Sequence, residues 1–200
     1  GLSTEMSLEV ASLGVQVHGG MGFIEETGAA QYLRDAKILT IYEGTTAIQA
    51  NDLIGRKTVR DGGRTAHAIA SRIELTEKEL QAIGDASCDR MAAQLGRARK
   101  SYLESVDYLV GQGKAQPNAV YAGSVNFLML AGTLIAGWQM ARAFVIIKGG
   151  AAQDETPAFL TAKAVTSQFY ADHILPRTRA YRDCIVEGAE SVMALEMEAF

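Results

Sequence analysis

Cysteine is scarce in this chain: two residues in 200, Cys88 and Cys184, lie far apart and outside any CxxC spacing. That excludes a disulfide framework and a paired-thiol redox motif, and it fits reduced thiols in a cytoplasmic compartment. The three histidines, His18, His67 and His173, form no ligand-spaced group, so no metal site is expected. Positive charge is not in excess either. Nineteen Lys and Arg stand against 23 Asp and Glu, a net charge of -4 with a pI near 5.4, which argues against a nucleic-acid-binding surface. The one basic run, Arg97 to Lys100, reads as a solvated helix face. The opening residues Gly1 to Met6 lack the basic and apolar regions of a signal peptide. Ala115 to Ala141 carries no formal charge, yet its Asn118, Asn126, Thr133 and Gln139 and its repeated Gly and Ala favour a buried bundle helix over membrane insertion.

Strand-like alternation is also missing, and what is present has helical spacing. An apolar-rich segment, Leu8 to Val17, stops at the pair Gly19-Gly20. Met21 to Phe23 reads as loop, and Thr27 is placed to cap a short helix to about Lys37. Thr45 or Thr46 caps the next helix, with Thr46 and Gln49 at capping-box spacing, and that helix runs to about Arg60. Asp61-Gly62-Gly63 is the strongest internal boundary. Beyond it, helices are predicted around Ile69 to Leu80, from Ala86 to Gly111, from Pro117 to about Lys148, and from Pro157 to about Leu175. A last one follows Pro176 and reaches Ala194. The fold class is therefore all-α, with an antiparallel helical bundle in the second part.

Two short stretches stand out chemically. In Gln16-Val17-His18-Gly19-Gly20-Met21-Gly22 the glycines allow close approach of a backbone or ligand, and the Gln16 amide can donate to a phosphate or ribose. A plain helix stop accounts for the same glycines, and the spacing is not that of a dinucleotide-binding GxGxxG. In Tyr42-Glu43-Gly44-Thr45 a carboxylate lies before a helix start, placed by backbone rather than by a flexible stem, as a general base requires. The free amides at that start also suit an enolate-like oxygen or a phosphate. Glu43 read only as an acid that favours a helix N-terminus fits equally well on spacing alone.

Taken together, the Gln16 to Gly22 motif, Arg34-Asp35-Ala36-Lys37-Ile38 and Ile41-Tyr42-Glu43-Gly44-Thr45, with Ile48-Gln49, resemble the C-terminal helical domain of the FAD-dependent acyl-CoA dehydrogenases. The resemblance implies an oxidoreductase of fatty acid metabolism in which Glu43 removes the α proton of an acyl-CoA thioester and the β hydrogen leaves as hydride to FAD. It further implies that Gly44 contacts substrate, that Thr45 and Thr46 meet the flavin, and that Gln16, Gly19 and Gly20 contact the FAD of a neighbouring subunit. At Ala47, where many relatives carry Gln or Glu, only a backbone contact is left. Arg34 and Asp35 are expected in a structural role, as an ion pair or cap between helices, His18 as a spacer, and Tyr42 as pocket wall or packing residue. Partners implied are electron-transfer flavoprotein and further copies of the chain, as a homodimer or homotetramer.

Residues 1–62 thus resemble the end of that domain. Residues 63–200, with Phe169 to Pro176 as their most recognisable stretch, are similar to the appended C-terminal bundle of large bacterial members such as the methylmercaptopropionyl-CoA dehydrogenase-like enzymes. The bundle holds no cluster of acids, histidines or nucleophiles and is read as a packing and oligomerisation module. Because Gly1 falls inside the family's helical domain, the isolated polypeptide is expected to bind FAD weakly or not at all and to be inactive. A stand-alone helical interaction module derived from the family is the alternative.

Overall fold

The computed structural model describes residues 1–199, and all regular structure among them is helical. Helix α1 (Leu2–His18) ends where the glycine pair predicts, with Gly19 at φ 59°. Two local expectations are corrected next. Met21 to Phe23 belong to a single helical turn, α2 (Gly20–Phe23), rather than a loop. Thr27 does not cap the following helix; its hydroxyl donates to the carbonyls of Met21 (2.7 Å) and Ile24 (3.2 Å), and Gly28 at φ 77° opens α3 (Ala29–Ile38). A left-handed residue turns the chain there without needing a side-chain cap.

Helix α4 (Thr46–Asp52) widens into a π-helical stretch, Leu53–Val59, and leads to Arg60. The carboxylate of Asp61 then accepts from the amides of Gly63 (2.9 Å) and Thr65 (3.1 Å), which turns the chain into α5 (Arg64–Ile83). Helix α6 (Ala86–Gln112) follows. The helix predicted from Pro117 to Lys148 is two, α7 (Pro117–Ala122) and α8 (Ser124–Lys148), broken at Gly123. A Cβ at Gly123 would lie 3.3 Å from the Ile185 Cα, so the break falls where another helix crosses closely. Helix α9 (Pro157–Phe169) ends in a second π-helical stretch, Tyr170–Ile174, just before Pro176 removes a backbone donor. Helix α10 (Arg177–Val186) and the short α11 (Ala189–Val192) replace the single last helix expected to Ala194.

Helix α8 lies at the centre, packed against α4, α5, α6, α9 and α10. Its length and composition would suffice to cross a membrane. Its apolar character is explained by burial on several sides, through Phe127, Leu130, Leu134 and Phe144. Two glycines let neighbours come close: a Cβ at Gly137 would sit 2.5 Å from Leu175, and one at Gly132 only 2.7 Å from Leu2 of α1. One continuous core runs from Ile54 in the π-helical stretch through α5, α6 and α8 to Ile185. The α1–α3 hairpin adds nothing to it. No residue of α1 is buried, and Val10, Leu13, Val17, Phe23 and Tyr32 are all exposed, Val17 at 86%.

Polar ties cross the core's edges. Arg99 grips Glu77 with two parallel bonds, Nε to Oε1 at 2.7 Å and Nη2 to Oε2 at 2.9 Å, and both side chains are largely sheltered. The expected solvated basic face is therefore corrected at Arg99, which turns inward to α5, while Arg97 and Lys100 remain exposed. Glu77 strengthens the hold of the Arg99 guanidinium on its proton. Trp138 Nε1 donates to Thr76 (2.9 Å), and the buried Tyr170 hydroxyl, its pKa pushed up to about 12 by desolvation, donates to the Thr133 carbonyl (3.1 Å). At the far end of α8, Lys148 reaches the α6 N-cap Asp85 at 2.9 Å.

Three outcomes follow for unfolding in urea. Arg99→Met should cost about 3 kcal/mol, because it strands a sheltered carboxylate, and the Glu77→Met/Arg99→Met double variant should recover much of that loss. Equal losses in single and double variants would argue against the pair. Gly137→Ala should cost about 1–3 kcal/mol by overpacking against Leu175. For Asp85, the Ser87 hydroxyl and then Lys148 hold the carboxyl well below the usual carboxylate range. Its contribution is therefore present above the unfolded carboxyl's pKa and lost as pH falls toward the depressed folded value. Wild type and Asp85→Asn, which keeps a capping side chain, should differ most in midpoint near neutral pH, and the difference should begin to shrink only as pH falls below the unfolded carboxyl's value, about 4, narrowing steadily with further acid.

Candidate active site

The turn between α3 and α4 is built from local rules. Thr45, at φ -59° and ψ 163°, caps α4 by accepting from the Ile48 amide (3.4 Å). Thr45, not Thr46, is thus the cap. Gln49 also departs from the capping-box reading: its side-chain amide donates to the Glu43 carbonyl at 3.2 Å. Glu43 has φ 53°, the one positive φ at a non-glycine among the described residues, and Gly44 follows at φ 97°. The left-handed conformation costs a side-chain-bearing residue roughly 1–2 kcal/mol, so something must hold Glu43 there.

Glu43 lines a small cavity of ≈ 200 Å³ with Tyr42 and Gly44 from the turn, Thr46 and Gln49 from α4 and Thr4 from α1. Thr46 donates its hydroxyl proton to Glu5 of α1, tying the start of α4 to the start of α1. The two threonines therefore end up complementary. The Thr45 oxygen accepts from backbone and keeps a proton to donate, whereas Thr46 has spent its proton and keeps lone pairs to accept. A flavin edge offers both acceptors and a ring N–H donor, so the hydrogen-bonding capacity left on the two hydroxyls is compatible with one, although of the two only Thr46 lines the Glu43 cavity.

Gln16, Gly19 and Gly20 sit at the opposite end of α1, exposed, with open space around the two glycines. At 1.5 Å of rise per residue they lie roughly 20 Å from the Glu43 cavity, and the structure does not bring the two groups together within one chain. The glycine motif has a tight member, Gly22, whose Cβ would meet the Val15 carbonyl at 2.2 Å. His18 turns back, its Nδ1 hydrogen-bonded to the Gly14 carbonyl at 2.8 Å. Arg34 pairs with Glu25 at 2.9 Å and not with Asp35, which corrects the expected pair; the bridge is exposed and worth little. Asp35 instead lines an apolar groove of ≈ 730 Å³ between α1 and α3, with Val10, Ala11, Tyr32, Ala36 and Leu39. The sequence reasoning missed Glu5, for which an acid in the first turn of α1 is the only signal, and missed the reach of Gln49 back across the turn.

Residues 66–196 match the family described as "Acetyl-CoA dehydrogenase C-terminal like", and residues 2–57 match "Acyl-CoA dehydrogenase, C-terminal domain". The chain belongs to the acyl-CoA dehydrogenase family. Among similar proteins, the 3-methylmercaptopropionyl-CoA dehydrogenase of Ruegeria pomeroyi is 48% identical over 98% of this chain and 33% of its own length. A broad-specificity linear acyl-CoA dehydrogenase of Mycobacterium tuberculosis is 33% identical over 100% of this chain and 34% of its own. The caffeyl-CoA reductase-Etf complex subunit CarC of Acetobacterium woodii is 40% identical over 24% of this chain and 12% of its own. The chain thus spans about a third of the length of the first two relatives.

Removing the cap tests the local account. Thr45→Ala should weaken the first turn of α4 by about 1 kcal/mol, read as several-fold faster hydrogen exchange at the Ile48 amide. Unchanged protection at that amide would mean that Thr45 does not hold the turn.

Proposed function

We propose that this chain is the C-terminal portion of an FAD-dependent acyl-CoA dehydrogenase in which Glu43 is the base that removes the α proton of an acyl-CoA thioester. The observation that carries the reading is the conformation of Glu43: a non-glycine residue held left-handed at the lip of a cavity, beside a glycine and a capped helix start. Strain of this kind persists only where neighbours enforce it, and it is concentrated at functional sites. The carboxylate accepts the proton, and the backbone of the Gly44 stretch, unobstructed by a side chain, receives the thioester carbonyl as negative charge builds on its oxygen. Bound FAD would supply the oxidant that takes the β hydrogen as hydride. Thr45 and Thr46 would hold the flavin edge through one donated and one accepted hydrogen bond.

Gln16, Gly19 and Gly20, remote from Glu43, are read as contacts to the FAD of a second copy, which makes a homodimer or homotetramer part of the proposal. Residues 1–62 complete the catalytic helical domain, and 63–200 form the appended bundle, keyed to it where Ile54 enters the common core. The unburied apolar face of the α1–α3 hairpin is the surface on which the remainder of the protein would pack. Electron-transfer flavoprotein is the proposed acceptor of the electrons, in line with the Etf complex named for one relative, and the cytoplasm is the proposed compartment.

In the full-length protein, Glu43→Gln should retain FAD while flavin reduction by acyl-CoA falls by about three orders of magnitude or more, as loss of a general base requires. A variant that still reduces its flavin at the wild-type rate would remove Glu43 from the chemistry. The isolated 200-residue chain should be colourless and inactive; yellow protein with turnover would contradict its being an incomplete site.

A further inference from the structure

We infer that Gln49 is a positioning residue for Glu43: its side-chain amide, donated to the Glu43 carbonyl, keeps the turn in the left-handed conformation in which Glu43 lines the cavity. The inference rests on the proposed role of Glu43 as base. Glu43 at φ 53° occupies a conformation that an unrestrained glutamate leaves, because its Cβ crowds the following carbonyl. Two side chains tie the turn to α4. The Thr45 cap fixes where α4 begins but bonds only the Ile48 amide, on the helix side of Gly44. Among the described residues, Gln49 is the one side chain that reaches back past Gly44 to the Glu43 backbone, at 3.2 Å.

Gly44 allows that reach. A Cβ at Gly44 would lie 3.0 Å from Gln49 Nε2 and 3.4 Å from Ile48 Cγ2, so any side chain at position 44 would press on the clamp as well as oppose φ 97°. Gln49 itself is exposed and takes no part in the core, so its place in the turn is not a by-product of packing. Rotation about the Glu43 N–Cα bond, the φ that is left-handed here, moves the carbonyl held by Gln49 and the Cα–Cβ bond together. Displacements of about 1 Å at a reacting group cost about a hundredfold in rate, whereas binding made elsewhere on the ligand is unaffected. Gln49 should therefore act on the rate of proton removal and not on substrate affinity.

The test uses the full-length FAD-loaded protein and anaerobic flavin reduction by butyryl-CoA or 3-methylmercaptopropionyl-CoA, comparing wild type, Glu43→Gln and Gln49→Met, which is similar in size but cannot donate. The expected result for Gln49→Met is a limiting reduction rate at least about tenfold lower, half-saturation within about twofold of wild type, unchanged FAD content, and a retained or larger isotope effect with α-deuterated substrate. A limiting rate within twofold of wild type, or a loss confined to FAD content or half-saturation, overturns the positioning role while leaving Glu43 as base if Glu43→Gln is inactive. Reduction by the Glu43→Gln variant, or none by wild type, overturns the underlying reading and this inference with it.

Discussion

The close seating of other elements on α8 is the constraint from which the rest of the structure follows. Leu2 meets Gly132 and Leu175 meets Gly137 at distances that no side chain on those glycines would permit. The first contact brings the start of α1 down onto the bundle. There Glu5 receives the Thr46 hydroxyl, and Thr46 is the first residue of the helix that follows the Glu43–Gly44 turn. A chain of contacts thus links the glycine face of a core helix to the placement of one carboxylate. Helix α4 rests directly on α8 as well, so the cavity is referenced to the bundle from both of its walls.

This gives the later helices a role beyond bulk. The bundle contributes no acid, base or nucleophile to the Glu43 cavity, whose lining comes from α1, the end of α3 and the start of α4. It contributes rigidity. Bonds such as Arg99 to Glu77 and Lys148 to Asp85 fix α5, α6 and α8 to one another, and a rigid platform is what a strained turn needs if its strain is not to relax. The α1–α3 hairpin is the opposite case, with little buried area and a broad apolar face.

Much of this was legible from the residues. The glycine pairs end α1, separate α4 from α5 and follow α8, and Pro117 and Pro157 open helices, because φ preferences and missing donors act locally. What escaped was set by distant partners. The break at Gly123 reflects α10 crossing it, Arg99 faces Glu77 from 22 residues away, and Arg34 found Glu25 instead of its neighbour. The π-helical stretches leave no mark on apolar spacing. At the site, the motif located Glu43, Gly44 and the Thr45 cap, but its spacing was silent on the left-handed φ and on the long reach of Gln49 and Glu5.

The most direct measurement is a crystal structure of the full-length protein with FAD and an acyl-CoA analogue that cannot be oxidised. The expected result is a Glu43 carboxylate oxygen about 3–3.5 Å from the α carbon, with Glu43 still at positive φ and its carbonyl on the Gln49 amide. A different carboxylate at the α carbon, with Glu43 turned to solvent, would contradict it.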